Sequence, residues 1–142
     1  MPILQSSVKL ATKPLPKLIS PGMHAVADYI TAAAFFAAGA VFFRRNKRAA
    51  MSSLVCGAAE LATSLLTNYP GGVAKAISFP THGKIDMGLA AMTATMPEFM
   101  DFEEAPEKAF FRSQALLLTA VTGLTDFGRG RGYEERFRRE AA

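Results

Sequence analysis

Apolar residues fall into four long blocks, and the polar or Gly/Pro-rich breaks between them set the predicted elements. A first helix is expected over 22–43, followed by a basic loop of Arg44, Arg45, Asn46, Lys47 and Arg48. A second helix over 49–67 is closed by Asn68, Tyr69, Pro70, Gly71 and Gly72, a run of strong helix breakers. A third is expected over 81–99, then an acidic loop from Asp101 to Ala105 and a fourth helix over 106–126. Thr81 suits the N-cap of the third helix and Pro106 the first turn of the fourth. Gly128, Gly130 and Gly132 are read as ending the last helix, which leaves 128–142 as a basic C-terminal tail. Residues 1–18 form a polar N-terminal tail broken by Pro14 and Pro16.

Within the helical blocks the polar positions are periodic. In the second helix Ser53, Cys56, Glu60, Thr63 or Ser64, and Thr67 recur every three or four residues and so share one face. Leu54, Ala58, Leu61 and Leu65 line the opposite side. A water-facing stripe would carry several charges, and this one carries only Glu60; in a bilayer it would turn to the bundle interior. The first helix runs uncharged from Tyr29 to Phe43, and apolar residues nearly surround the first and fourth helices. Ala33 with Ala37, and Ala34 with Ala38, have the four-residue spacing that lets membrane helices approach closely. Glu60, Lys84, Asp86 and Arg112 interrupt the other blocks, so a soluble helical bundle that binds an apolar ligand or partner is the competing reading.

The blocks also match one another. Ile19 and Ser20 reappear as Ile77 and Ser78, His24 as His82 and Asp28 as Asp86, all at one offset of 58 (82 − 24, 86 − 28). Leu66, Thr67, Asn68 and Tyr69 answer to Leu124, Thr125, Asp126 and Phe127 in the same register. Composition alone rarely produces His, Asp and a Leu-Thr-Asx-aromatic run at one spacing, so the pattern indicates a duplicated hairpin. The expected fold is therefore all-α: a four-helix transmembrane bundle made of two tandem helical-hairpin repeats, 19–76 and 77–127.

Composition refines this picture at a few points. The 142 residues suffice for one domain, and Cys56, the only cysteine, excludes an intramolecular disulfide and any standard cysteine zinc site. It is read as a buried inert thiol. Residues 1–20 lack a continuous apolar core, so insertion is expected to use the first helix as its signal. With both termini on one side, that side carries Lys9, Lys13, Lys17, Lys75, Arg129, Arg131, Arg136, Arg138 and Arg139. Arg44, Arg45, Lys47, Arg48 and Lys108 lie on the other, which favours a multi-pass protein of the cell membrane with cytoplasmic termini. The net charge of +4 and the Arg-Gly tail suit anionic headgroups better than nucleic acid, for which no fold is present. The partners open to such a chain are the lipid bilayer, a second copy of itself, or another membrane protein.

Candidate chemistry gathers at one end of this arrangement. His24 and Asp28, like His82 and Asp86, are four residues apart on one helix face at a helix start. The second and fourth helices return to end at Thr67 and Asn68, and at Thr125 and Asp126. A pseudo-twofold axis would turn the two His-Asp pairs toward each other. Three readings fit: a structural polar cluster of these eight residues with Glu60; a divalent transition-metal site of His24, Asp28, His82 and Asp86, suited to zinc, iron or manganese; or proton handling with Glu60 as relay. No phosphate loop, nucleophile elbow or zincin motif is present, so no catalytic residue is assigned and the chain is not read as an enzyme.

With His24 and Asp28-Tyr29, His82 and Asp86, and the endings Leu66-Thr67-Asn68-Tyr69 and Leu124-Thr125-Asp126-Phe127, the chain resembles the SPW-repeat family of small bacterial integral membrane proteins over about 19–127. Pro97 and Phe102 stand where that family's proline and a following Phe are expected. Met96-Pro97-Glu98 and Ala38-Gly39-Ala40 replace Ser-Pro-Trp, and the chain has no Trp, so the resemblance is to a divergent member. It implies a four-span membrane protein and brings no catalytic residues.

Overall fold

Helix starts in this chain are set by short polar side chains just ahead of apolar runs. The computed structural model describes residues 15–140, with the backbone alone at positions 129–131, 133, 134, 137 and 140. Ser20 caps α1 (Pro21–Phe42), its hydroxyl accepting from the Met23 amide at 3.3 Å. Asn46 caps α2 (Lys47–Leu66) through the Ala49 amide at 3.0 Å. Ser78 caps α3 (Phe79–Phe99), accepting from the Thr81 amide at 3.3 Å. The cap thus lies three residues ahead of the expected Thr81, because Pro80 lacks only an amide that the first turn leaves unbonded anyway. Pro106 sits in the first turn of α4 (Ala105–Leu124), as its position in the sequence suggests.

The loop ends follow equally local rules. After α3, Asp101 takes a left-handed φ of 52°. Phe102 N donates to Pro97 O at 2.9 Å and Asp101 N to Glu98 O at 3.3 Å, the paired bonds that close a helix C-terminus. That turn drives Phe102 into the core against Phe111, ring centroids 5.1 Å apart.

The expected C-terminal tail is corrected by the structure, which continues as a fifth helix, α5 (Phe127–Glu140). Asp126 accepts from the Gly128 amide at 3.1 Å and so starts it, and Phe127 anchors it to the bundle. Glycine lowers helix propensity without forbidding a helix, and the spacing of Glu135 and Arg139 is a favourable i,i+4 pairing. Of the two expected tails, 1–14 and 141–142 lie outside the described residues, Lys9 and Lys13 among them.

The described residues are all-α, with α1 packed on α2 and α3 on α4 as two hairpins. The hairpins meet through α2 with α3 and α1 with α4, while α5 lies against α3 and α1. Two identical straps close the joint. Ile77 N donates to Leu66 O at 2.8 Å and Asn68 N to Ile77 O at 2.8 Å; Ile19 N donates to Leu124 O and Asp126 N to Ile19 O, both at 3.0 Å. Each strap pins the chain ahead of one His-bearing helix to the end of a Thr-bearing helix.

Phe35, Phe42, Phe102, Phe111 and Cys56 form the core near the loop end, where the 42–47 and 99–105 connections lie. Ala25, Tyr69 and Phe79 form a smaller one at the strap end. Of the expected alanine pairs Ala33 and Ala37 are exposed, whereas Ala38 is buried and Ala34 half-buried, and glycine adds to the close approach of α1 and α2. A Cβ on Gly57 would stand 3.0 Å from Phe35 Cβ and 3.3 Å from the Ala32 carbonyl oxygen.

Two helices, α1 and α2, are long and apolar enough to cross a membrane. The sequence reading expected all four long helices to span; of these α4 carries Glu107, Lys108 and Arg112 along its length, and α1 and α2 are the two with the length and apolarity to cross.

Gly72 is the position the strap turn cannot exchange: a Cβ there would lie 1.6 Å from the Thr67 carbonyl oxygen. Gly72→Ala is expected to destabilise the fold by roughly 3 kcal/mol, as backbone-clash substitutions do. Thermal unfolding of purified protein measures it, and an unchanged midpoint would contradict this account of the turn.

Candidate functional site

The two straps decide where the polar residues meet. His24 and Asp28 are one turn apart on α1, His82 and Asp86 one turn apart on α3, and the straps draw both helix starts to the same end. All four side chains are buried: His24 and His82 at 0%, Asp28 at 2% and Asp86 at 1% exposure. His24 Nε2 lies 3.1 Å from His82 Nε2. It also lies 3.3 Å from Asp28 Oδ1 and 3.0 Å from Asp86 Oδ2. His82 Nε2 lies 3.2 Å from Asp28 Oδ2 and 3.1 Å from Asp86 Oδ2. The two sequence pairs therefore form one centre, each carboxylate touching both imidazoles.

The orientation of each ring is fixed from behind, across the hairpin boundary. His24 Nδ1 meets Thr125 Oγ1, and His82 Nδ1 meets Thr67 Oγ1, each at 2.7 Å. Both hydroxyls already donate to a carbonyl one turn back, Thr125 to Val121 O at 2.6 Å and Thr67 to Thr63 O at 2.7 Å. A hydroxyl has one proton to give, so each threonine oxygen must accept from a protonated Nδ1. In the neutral imidazole this leaves the lone pair on Nε2, pointing inward. With both imidazoles neutral, two Nε2 lone pairs and two carboxylates converge; a protonated Nε2 would instead donate to a carboxylate, as His24 Nε2 can to Asp86 Oδ2 at 3.0 Å.

The carboxylates are held in turn. Tyr69 donates to Asp28 Oδ2 at 2.7 Å, and Thr122 reaches Asp86 Oδ2 at 3.5 Å. Burial, then the adjacent Asp28 charge, pushes the Tyr69 phenol far above its ordinary range, so it remains a donor. Asp86 Oδ1 is buried without a hydrogen-bond partner. Phe79 packs edge-on to His24 at 5.3 Å and Phe127 at 5.6 Å, while Tyr69 covers His82 at 5.3 Å. Gly83 makes room for this cover, because a Cβ there would lie 2.5 Å from Phe127 Cζ.

Six of the predicted cluster residues are in the centre or bonded to it: His24, Asp28, His82, Asp86, Thr67 and Thr125. Glu60 is buried at 1% exposure with both carboxylate oxygens unpartnered. Asn68 and Asp126 stand aside, their backbone amides serving the straps and the Asp126 carboxylate starting α5. Sequence reasoning did not single out Tyr69 as a site residue, or Phe79, Thr122 and Glu107. A signal existed for Tyr69, the hydroxyl-bearing ring where the matching position holds Phe127. Glu107, wholly buried on α4 with both oxygens unpartnered, sits outside the 58-residue match, opposite Ala49 (107 − 58), and gave no such signal.

Comparison of the chain with protein-family models, curated proteins and solved structures finds no match in any of the three.

Tyr69→Phe removes the donor to Asp28 while keeping the ring. It is expected to lower stability by about 2 kcal/mol, the scale for a buried charged group that loses a hydrogen bond. Thermal unfolding beside Tyr29→Phe, whose hydroxyl serves Gly71 O at 2.6 Å in a part-buried site, provides the comparison. Equal losses would deny the Asp28 bond its special weight.

Proposed function

We propose that this chain is a small, non-catalytic integral membrane protein of two duplicated hairpins, a divergent relative of the SPW-repeat proteins. The reading is carried by one observation: polarity is distributed inside out. Large apolar side chains are exposed along the long helices, among them Val26, Ile30 and Val41 on α1, Val55 on α2, Met87 on α3 and Leu116 on α4. The interior holds, beside its phenylalanine core, the ionisable side chains His24, Asp28, Glu60, His82, Asp86 and Glu107. In water this arrangement exposes apolar surface and buries charge, both unfavourable. In a bilayer it places apolar groups against lipid and polar groups against one another.

The α2 stripe follows the same logic. Ser53, Cys56, Glu60, Thr63, Ser64 and Thr67 are all buried, whereas Ala58 and Leu65 are exposed. Duplication is supported by the caps Ser20 and Ser78, the straps at Ile19 and Ile77 and the threonines Thr67 and Thr125, all 58 residues apart. On this reading all four long helices span. Lys17, Lys75, Arg136, Arg138 and Arg139 then mark the strap end as cytoplasmic, and the polar centre joins the two hairpins there.

A soluble bundle is the second reading, favoured by the exposed Glu98–Arg112 ion pair at 2.7 Å between α3 and α4. Membrane fractionation separates the two. The full chain is expected in the pellet after alkaline carbonate extraction and in the supernatant only with detergent. Recovery in the high-speed supernatant without detergent would overturn the membrane assignment.

A further inference from the structure

Two buried carboxylates beside two imidazoles call for positive charge among them. Two kinds are available, protons on the imidazoles or a metal ion. Two carboxylates give the centre a charge of −2 while the histidines are neutral. Cancelling it with protons alone requires both Nε2 atoms to be protonated, and these face each other at 3.1 Å. A single proton shared between the rings leaves a net negative charge in a site screened from water. One divalent cation cancels the charge and uses every inward lone pair.

The spacing agrees with that occupant. Metal–ligand distances of about 2.0–2.2 Å place the donors of a tetrahedral ion roughly 3.3–3.6 Å apart. The Nε2–Nε2 edge is 3.1 Å and the four Nε2–carboxylate edges run from 3.0 to 3.3 Å. One ligand atom from each residue can be chosen so that all lie within 4.8 Å of one another. The short edges use both Asp28 oxygens, Oδ1 toward His24 and Oδ2 toward His82, so a bound ion requires that carboxylate to settle one oxygen inward and the other donors to adjust around it.

The surroundings match a metal centre as well. Each imidazole gives its outer N–H to a threonine oxygen and Asp28 accepts from Tyr69, outer contacts that orient ligands and set their basicity. Asp86 Oδ1, buried and unpartnered, is a further oxygen available to the ion.

We propose that His24, Asp28, His82 and Asp86 form a binding site for one divalent first-row transition-metal ion that ties the two hairpins together. Imidazole nitrogen with carboxylate oxygen in a four-donor set suits Zn2+, with Co2+ as its spectroscopic substitute, better than Mg2+ or Ca2+, which prefer all-oxygen shells. Four protein ligands and an aromatic cover leave no open coordination position, the arrangement of a structural rather than a catalytic site. One ligand pair comes from each hairpin, so the ion would crosslink α1 to α3. The site rests on this geometry and not on the membrane assignment, so failure of one leaves the other standing.

The test uses the full-length protein, stripped with chelator and titrated with Zn2+ or Co2+. Expected are one ion per chain by elemental analysis, visible Co2+ bands of tetrahedral intensity, and a higher unfolding midpoint with Zn2+ but not with Mg2+. Thr67→Val, which removes the support behind His82 and keeps every ligand, is expected to weaken Zn2+ binding roughly 10-fold. Asp86→Asn is expected to abolish the tetrahedral Co2+ spectrum. Folded wild-type protein that takes up neither ion, or binds Co2+ with an octahedral spectrum unchanged in Asp86→Asn, would overturn the proposal.

Discussion

Two carboxylates and two imidazoles buried within hydrogen-bonding distance of one another need positive charge among them, from protons on the rings or from a cation. That requirement organises the strap end of the molecule. Each carboxylate touches both histidines, one from its own helix and one from the other hairpin, so neutralising the centre also joins the halves. Threonines at the ends of α2 and α4 hold the outer nitrogens, and Tyr69 supplies the Asp28 carboxylate with a donor. Removing any one of these leaves another buried group short of a partner, which makes the cluster behave as a unit.

The same economy of polar groups explains the remainder of the bundle. Small residues on the buried faces of α1 and α2 let the backbones approach closely, and phenylalanines fill the loop end. Polar side chains with no external partner bond back to their own helix, as Ser64 does to Glu60 O and Thr63 to Ala59 O, both at 2.8 Å. Glu60 and Glu107 do not follow this rule, and neither does Ser53, whose buried hydroxyl has no partner. Each glutamate is buried with both oxygens unpartnered, which makes the interior polar at points well away from the His-Asp centre.

Helix positions were legible because local chemistry sets them: the 49–67 and 106–126 expectations differ from α2 and α4 by no more than two residues at either end. The burial of the α2 stripe was legible too, since a face with a single charge among small polar residues is poorly suited to water. The C-terminal helix was not. Gly128, Gly130 and Gly132 suggest a stop, and only the contacts of Phe127 with α3 and the capping role of Asp126 outweigh the glycine cost. The Ser78 cap was likewise missed, because the sequence reading started the helix at Thr81, whereas its first turn already includes Pro80.

By itself, the sequence determined that His24 and Asp28 share a face, that His82 and Asp86 repeat this 58 residues on, and that Thr67 and Thr125 end the returning helices. These follow from the rise and period of a single helix, which need no knowledge of neighbours. Only the tertiary structure decided that the two pairs meet at 3.1 Å, that each threonine serves the histidine following its strap, and that Asn68 and Asp126 turn to the backbone instead. Such outcomes depend on how α1 and α3 are rotated and set against each other. A helical period fixes directions about one axis and leaves the relation between two axes open, and here the straps and the buried aromatic rings supply it.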